Sequence, residues 1–366
     1  MGVKVLSLFD GMACGMLAMQ KAGVDVEEYT AYEIDKYAIQ TATHNFPMIK
    51  ECGDVFKADF TQYKDIDYIV GGSPCTYWSI AQKNNRETEA SGLGWELFSQ
   101  YVRAVKEVKP KFFIYENNKS MSNAIRESIT KTFGFEPICI NSALVSAQNR
   151  QRLYWVGKRN ANGTYSKVDV KQPKDRGILL KDVLDGVTDR NKGRAVIGST
   201  GRTTTREYFI KSQGNMSFES VRVGALPRPN GELSTSQAMR VYSTEGKSVN
   251  LVSGGGGMGG KTGLYAIPVE FENDKPIKAT SCADGKTYTV YEVKDGLITI
   301  KGKQYPIKLI DGYYIIRKLT VSECKRLQTV PEWYEFPVSD TQAYKLLGNG
   351  WSVDVIVHLI EATLNR

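Results

Sequence analysis

The sequence predicts an α/β protein in which a parallel, doubly wound sheet is interrupted by an inserted, mostly β domain. Short apolar runs at Val3–Leu8, Asp67–Val70 and Lys111–Tyr115 read as buried strands, each emptying into a Gly-rich or polar turn. Helical spacing separates them, as at Leu97, Tyr101, Val105 and Val108. From about Gly157 to Gly312 that periodicity gives way to Gly, Ser, Thr, Asn and Arg with short β-like pieces, and it returns at Arg317. The expected organisation is residues 1–156 as a first domain, 157–316 as the insert, and 317–366 as the segment that completes the first. A chain of 366 residues has room for two such cores.

Composition narrows the class. No apolar run approaches the roughly 18 residues of a membrane span, no basic-then-apolar leader opens the chain, and Leu6 stands where a myristoylation signal wants Ser or Thr, so a cytoplasmic protein is expected. The six cysteines form no C-x-x-C pair, which argues against zinc and disulfide frameworks and for free thiols. Two histidines, His44 and His358, leave His-ligated metal chemistry short of parts. A net charge of +8 suits an anionic partner such as nucleic acid, and Arg194, Arg202, Arg206, Arg222, Arg228 and Arg240 gather in the insert.

Taken in order, the first strand runs into Phe9-Asp10-Gly11 and on to Gly15, and a helix follows to Gly23. Glu33, with Ile34 after it, ends the next strand roughly 20 residues on, where a carboxylate can accept two ribose hydroxyls. Asp54 is a third acid, placed to meet an adenine amine. The first turn is not G-x-G-x-x-G, and Asp10 would repel a pyrophosphate, so a nicotinamide oxidoreductase lacks its phosphate site. A nucleoside without phosphates fits better, and S-adenosylmethionine is one whose positive charges the acids would favour.

Gly71-Gly72-Ser73-Pro74-Cys75 then offers a thiol at a strand end, and Glu116-Asn117 offers a carboxylate at the next. Tyr77 to Gly94, with Gln82, Lys83 and Arg86, suits a lid. A helix is expected near Met121–Lys131 and a strand near Phe135–Ile140. Gln148, Arg150 and Arg152 share one face if that piece is extended, making a row of donors. Gly255 to Thr262 satisfies a P-loop pattern, but Leu264–Val269 after it reads as a strand where a P-loop needs a helix. Thr320 with Glu323 forms a capping-box signature, and Gly348-Asn349-Gly350-Trp351-Ser352 is a last glycine turn before a closing helix with Val353, Ile356, Leu359 and Ile360 on one face.

As an ordered set these motifs resemble the C5 DNA cytosine methyltransferases, over about half of the chain. Phe9-Asp10-Gly11 to Gly15 resembles that family's cofactor turn, Glu33 its ribose acid and Asp54 its adenine contact. Pro74-Cys75 resembles the catalytic loop, Glu116-Asn117 the base-binding motif, Gln148-x-Arg150-x-Arg152 the Gln-x-Arg-x-Arg strand, and Gly348-Asn349-Gly350 the last cofactor motif. Thr76 and Asn118 depart from the usual Gln and Val. The wording around Trp351 is similar to the eukaryotic de novo branch, and Arg240-Val241-Tyr242-Ser243 to phage and bacterial members.

The resemblance implies a Rossmann-like domain that uses S-adenosylmethionine, with the insert as a target-recognition domain for duplex DNA. Cys75, Glu116, Arg150 and Arg152 become the catalytic expectation. Phe9, Asp10, Gly11, Gly15, Glu33, Ile34, Asp54, Pro74, Asn349, Trp351 and Ser352 become the cofactor set. Gln82, Lys83, Arg86, Gln148 and Arg240 become the nucleic-acid contacts. A monomer is expected, with a cognate restriction endonuclease as an optional partner. Two other readings stay open: a tRNA cytosine-5 methyltransferase, and a DNA-binding homologue that no longer methylates.

Overall fold

The computed structural model describes residues 2–79, 86–185, 187–188, 220–251, 263–269, 278–281 and 285–365. Gln82, Lys83, Arg194, Arg202, Arg206, Cys282 and the loop 254–260 lie outside the described residues. The first sheet contains β1 (Val3–Leu8), β2 (Val26–Tyr32), β3 (Lys50–Glu51), β4 (Tyr68–Gly71), β5 (Phe112–Asn118), β6 (Ile138–Asn141), β7 (Gln151–Arg159) and β8 (Tyr165–Lys167). Its order is β3-β2-β1-β4-β5-β7-β6, with β8 on β7. The first five strands are mutually parallel, whereas β7 runs antiparallel to β5, β6 and β8. Chain order reverses between β1 and β4, so the turns after β1, β2, β4 and β5 open on one edge, where such sheets hold their ligands.

Helices cover both faces. One buried cluster joins α1 (Cys14–Lys21) and α2 (Lys36–Asn45) to the C-terminal helices α5 (Val321–Leu327), α6 (Asp340–Asn349) and α7 (Val353–Thr363). Val353, Ile356, Leu359 and Ile360 of α7 are fully buried there. At about 1.5–3 kcal/mol for each fully buried side chain, α7 is a structural part of the first domain. The other face carries α3 (Gly92–Val108) and α4 (Asn123–Phe133) around Phe98, Tyr101, Phe113 and Trp155. Gly157 on β7 sits opposite Phe113 on β5, and a Cβ there would lie 2.2 Å from the Phe113 ring, so this close packing requires glycine.

Three details of the helices differ from the sequence expectation. The buried stripe of α3 runs Phe98, Tyr101, Val105, Val108, and Leu97 is only half-buried, because the 3-4-3 spacing aligns with Phe98. The helix begins at Gly92, which shortens the anticipated lid. Residues 121–122 precede α4, whose N-cap is Ser122, accepting a hydrogen bond from Ile125 N at 3.2 Å.

The second sheet contains β9 (Val187–Thr188), β10 (Arg222–Ala225), β11 (Arg240–Ser243), β12 (Leu264–Pro268), β13 (Lys278–Ser281), β14 (Thr287–Lys294), β15 (Leu297–Ile300), β16 (Lys303–Pro306) and β17 (Gly312–Arg317). Its path is β10-β11-β12-β17-β14-β13-β9, extended from β14 by β15 and β16. The strand β12 stands where a P-loop would need a helix. At the return to the first domain, Thr320 and Glu323 form the capping box, and Arg317 makes a bidentate pair with Glu323, both fully buried, with N–O distances of 2.7 Å. Removing one partner of such a pair typically costs 3–5 kcal/mol, roughly the scale on which this junction is held. Among the described residues no helix is long and apolar enough to cross a membrane.

Candidate active site

Two groups of side chains gather at the ligand-binding edge. The first follows β1 and β2. Phe9 and Ala13 adopt left-handed backbone angles, with φ of 59° and 58°, and Gly11 lies between them at 62°. Left-handed geometry costs a non-glycine residue roughly 1 kcal/mol and is characteristic of ligand-binding turns. Glu33 holds this turn together: one carboxylate oxygen accepts from Gly11 N at 2.8 Å, the other from Ile34 N and Asp35 N at 2.8 and 2.9 Å. Ile34 itself is 76% exposed, presenting a bare apolar face beside the acid. Asp54 caps a short 3-10 turn through Phe56 N at 3.0 Å.

Asp10 is buried, and one of its oxygens accepts from Ser7 Oγ at 2.5 Å and Tyr29 OH at 2.7 Å. Its other oxygen has no protein partner. Burial raises its pKa to about 6, against the pull of those two hydroxyls. Glu51, on β3, was not foreseen from the sequence. Both its oxygens are shut from solvent without a partner, and burial, with Asp10 and Glu33 nearby, raises its pKa to about 7. The signal lay in Glu51-Cys52-Gly53-Asp54, where two acids lie three residues apart.

The second group follows β4, β5 and β7. Pro74 leads into a short 3-10 turn, 75–77, whose first residue is Cys75. Asn117 ties this loop to β5 by donating to Ser73 O at 3.1 Å, and Ser73 Oγ meets Tyr115 OH at 2.7 Å. Gly72 packs directly on Glu116: a Cβ there would come within 2.9 Å of the Glu116 carboxylate. That carboxylate is gripped from both sides, by Arg152 Nε at 3.0 Å and by the Trp351 indole N–H at 2.9 Å. Burial raises the Cys75 thiol above its ordinary pKa, the Arg152 guanidinium draws it down, and Glu116 opposes that.

The row of donors anticipated from Gln148, Arg150 and Arg152 does not form, because β7 starts only at Gln151. Arg152 reaches Glu116. Arg150 is buried and donates instead to Asn250 Oδ1, Leu251 O, Gly348 O and Gly350 O at 2.8–3.2 Å, tying the insert to the last glycine turn. Burial lowers its pKa to about 10. Gln148 is fully buried beside Ser248, away from any surface, with its amide unpartnered.

Of the remaining expectations, Ser352 is buried and its hydroxyl donates to Gln328 at 2.8 Å, while Asn349 is exposed. Gly350 packs against Cys14 and Met12, so the last turn meets the first. The same close approach accounts for Gly15, where a Cβ would lie 2.6 Å from the Tyr29 hydroxyl. Arg86 is tied to Trp78 O and Ser120 O at 3.1 and 2.6 Å, and Arg240 sits half-buried on β11 with its Nε unpartnered.

The strained turn, the ribose-type acid and the unpartnered carboxylate oxygens suit a cationic nucleoside. Among the described residues no group of three or more His, Cys, Asp or Glu side chains could hold a metal ion.

Comparison with known proteins agrees with this geometry. The chain is 26% identical over 445 residues to the orphan methyltransferase M.SPRI of Bacillus phage SPR, covering 99% of this chain and 98% of that one. It is 24% identical over 368 residues to the type II methyltransferase M.HhaI of Haemophilus parahaemolyticus, covering 98% and 93%. Among solved structures, the Entamoeba histolytica methyltransferase EhMeth superposes with a TM-score of 0.59 at 13% identity, over 100% of this chain and 98% of that one, which is a likeness of fold. A family model described as C-5 cytosine-specific DNA methylase matches residues 3–365, and with that end-to-end match the chain belongs to the C-5 cytosine-specific DNA methylases, methyltransferases whose methyl donor is S-adenosylmethionine.

Proposed function

We propose that this enzyme methylates carbon 5 of a cytosine in duplex DNA, with the base turned out of the helix and bonded through C6 to Cys75. The observation that carries the reading is the Glu116 carboxylate, fixed between Arg152 and Trp351 and packed on Gly72 of the Cys75 loop. Cytosine C5 is a poor nucleophile. Addition of the Cys75 thiolate to C6 moves a pair of electrons onto C5 and makes it reactive. In this reading Glu116 holds the N3 side of the ring through this charge shift, and Arg152, the guanidinium paired with it, holds the O2 side. Arg150 instead holds the pocket's wall in place. When bound, S-adenosylmethionine supplies an electrophilic methyl group. Loss of the C5 proton to a base then returns electrons to the ring and expels the Cys75 sulfur. Since C6 is out of reach within a stacked duplex, the base must be extruded, and the expected lid, Tyr77 to Gly94, is the segment we assign to fill its space.

The expected boundary at 157 falls inside the first sheet, which keeps β7 and β8 to Lys167, so the part that carries the second sheet, 187–317, serves in this reading as the target-recognition module. The basic balance of the chain and the size of that insert favour duplex DNA over tRNA. A cytoplasmic monomer, with or without a cognate restriction endonuclease, completes the proposal. Methyl transfer from labelled S-adenosylmethionine is expected to duplex DNA and not to tRNA; transfer to tRNA alone would reassign the substrate, and binding to DNA without transfer would make the chain a silent homologue. Within the module, Arg240→Ala should change which site is methylated if Arg240 reads a base edge. A phosphate contact would weaken all sequences alike and lower the salt dependence.

A further inference from the structure

The parallel register sets Glu51 beside Ala31 of β2, two residues before Glu33, and the β1 turn brings Asp10 against the same strands. Three carboxylates from three strand ends thus converge, and among the described residues none of them has an ion-pair partner. Asp10 is more than nine-tenths buried with one oxygen free, and both Glu51 oxygens are closed off without a hydrogen bond. The groups facing them are Glu33, the Ser7 and Tyr29 hydroxyls, the buried Cys14 thiol and the Tyr334 hydroxyl, none of which is a cation. Buried carboxylates left in this way are costly, and a ligand that brings positive charge relieves them more than a neutral one does.

We infer that Glu51, acting with Asp10, is a specificity-determining residue for the charge of the bound cofactor, favouring the sulfonium donor over the neutral thioether product that remains after methyl transfer. This rests on the cofactor assignment and adds a residue and a selectivity to it. An anionic floor under the site binds the charged donor more tightly than the neutral product. In the empty site, protons offset part of the negative charge, so cofactor binding near neutral pH should release protons from this pair.

Calorimetric titration of the full chain with S-adenosylmethionine and with S-adenosylhomocysteine tests this. Glu51→Gln should weaken the donor by roughly five- to fiftyfold, the range one unit charge gives at several ångströms in a partly screened site, and change the product's affinity less than about twofold. Proton release, read from the dependence of binding enthalpy on buffer ionisation heat, should fall in the variant. Asp10→Asn gives a second, independent variant with the same expected direction. Equal changes for both ligands, or no change for either, would overturn the role of Glu51 while leaving the cofactor assignment standing. Failure of the unsubstituted chain to bind S-adenosylmethionine would overturn both.

Discussion

The two halves of the ligand-binding edge are built from the same parts and balanced differently. At the ends of β4, β5 and β7 the carboxylate is satisfied: Glu116 has a guanidinium on one oxygen and an indole N–H on the other. At the ends of β1, β2 and β3, Asp10 and Glu51 keep oxygens with no partner. The first arrangement is preorganised, its donors fixed before any substrate arrives, so little reorganisation is needed when charge moves in the base. The second is incomplete as protein alone and gains its counter-charge from a ligand. In the proposed reaction, one edge would act with what it already holds, and the other would select what it binds by what it lacks.

Breaking the satisfied half should have the largest effect. Arg152→Ala leaves Glu116 with one donor and removes the cation that, among the described residues, most lowers the Cys75 pKa. Methyl transfer should fall by about 10²–10³, as for loss of a preorganised charge-stabilising donor, with S-adenosylmethionine affinity unchanged. A single-turnover rate within threefold of the parent would show that Glu116 does not depend on Arg152.

The unsatisfied half sharpens the contrast through pH. Asp10 has a pKa of about 6 in the folded chain against an ordinary 3.8, so the fold holds that proton more tightly than the unfolded chain does. Its contribution to stability is fully present below the ordinary value and is lost as pH rises through about 6. The ligand-free protein should therefore be less stable at pH 8 than at pH 5 by roughly 1.4 kcal/mol from this group. Asp10→Asn should flatten that slope in thermal melts; an unchanged slope would remove Asp10 from the account. A smaller or comparable effect, about 1–3 kcal/mol in cofactor affinity, is expected for Glu33→Ala, which strands three backbone N–H groups and two ribose hydroxyls. Calorimetry finding equal affinity would shift the nucleoside elsewhere.

Much of this edge could be read from the sequence, because strand ends and glycine turns are local features. Cys75, Glu116, Glu33 and Asp10 each close an apolar run, and their meeting follows from parallel pairing. What escaped the sequence reading is set by distance along the chain. Arg150 and Arg152 are two apart and look equivalent, yet β7 begins between them, so one faces Glu116 while the other is drawn to carbonyls of residues 251, 348 and 350. The Trp351 N–H meets a carboxylate 235 positions earlier, a pairing no local pattern announces. Glu51 lies on a two-residue strand with no apolar pattern to announce it. Gln148 reads as a polar surface donor and is fully buried, because the insert folds back over it at Ser248.

The central claim is that Cys75 adds to the cytosine ring. Duplex DNA bearing 5-fluorocytosine at the target should become covalently attached in the presence of S-adenosylmethionine, since fluorine cannot leave C5 as a proton does and the methylated adduct cannot collapse. The adduct should survive a denaturing gel, map to Cys75 by peptide analysis, and vanish in Cys75→Ser, whose hydroxyl is far less nucleophilic near neutral pH, while that variant still binds DNA and cofactor. An adduct that persists in Cys75→Ser and maps to another cysteine, such as Cys14, would contradict the account.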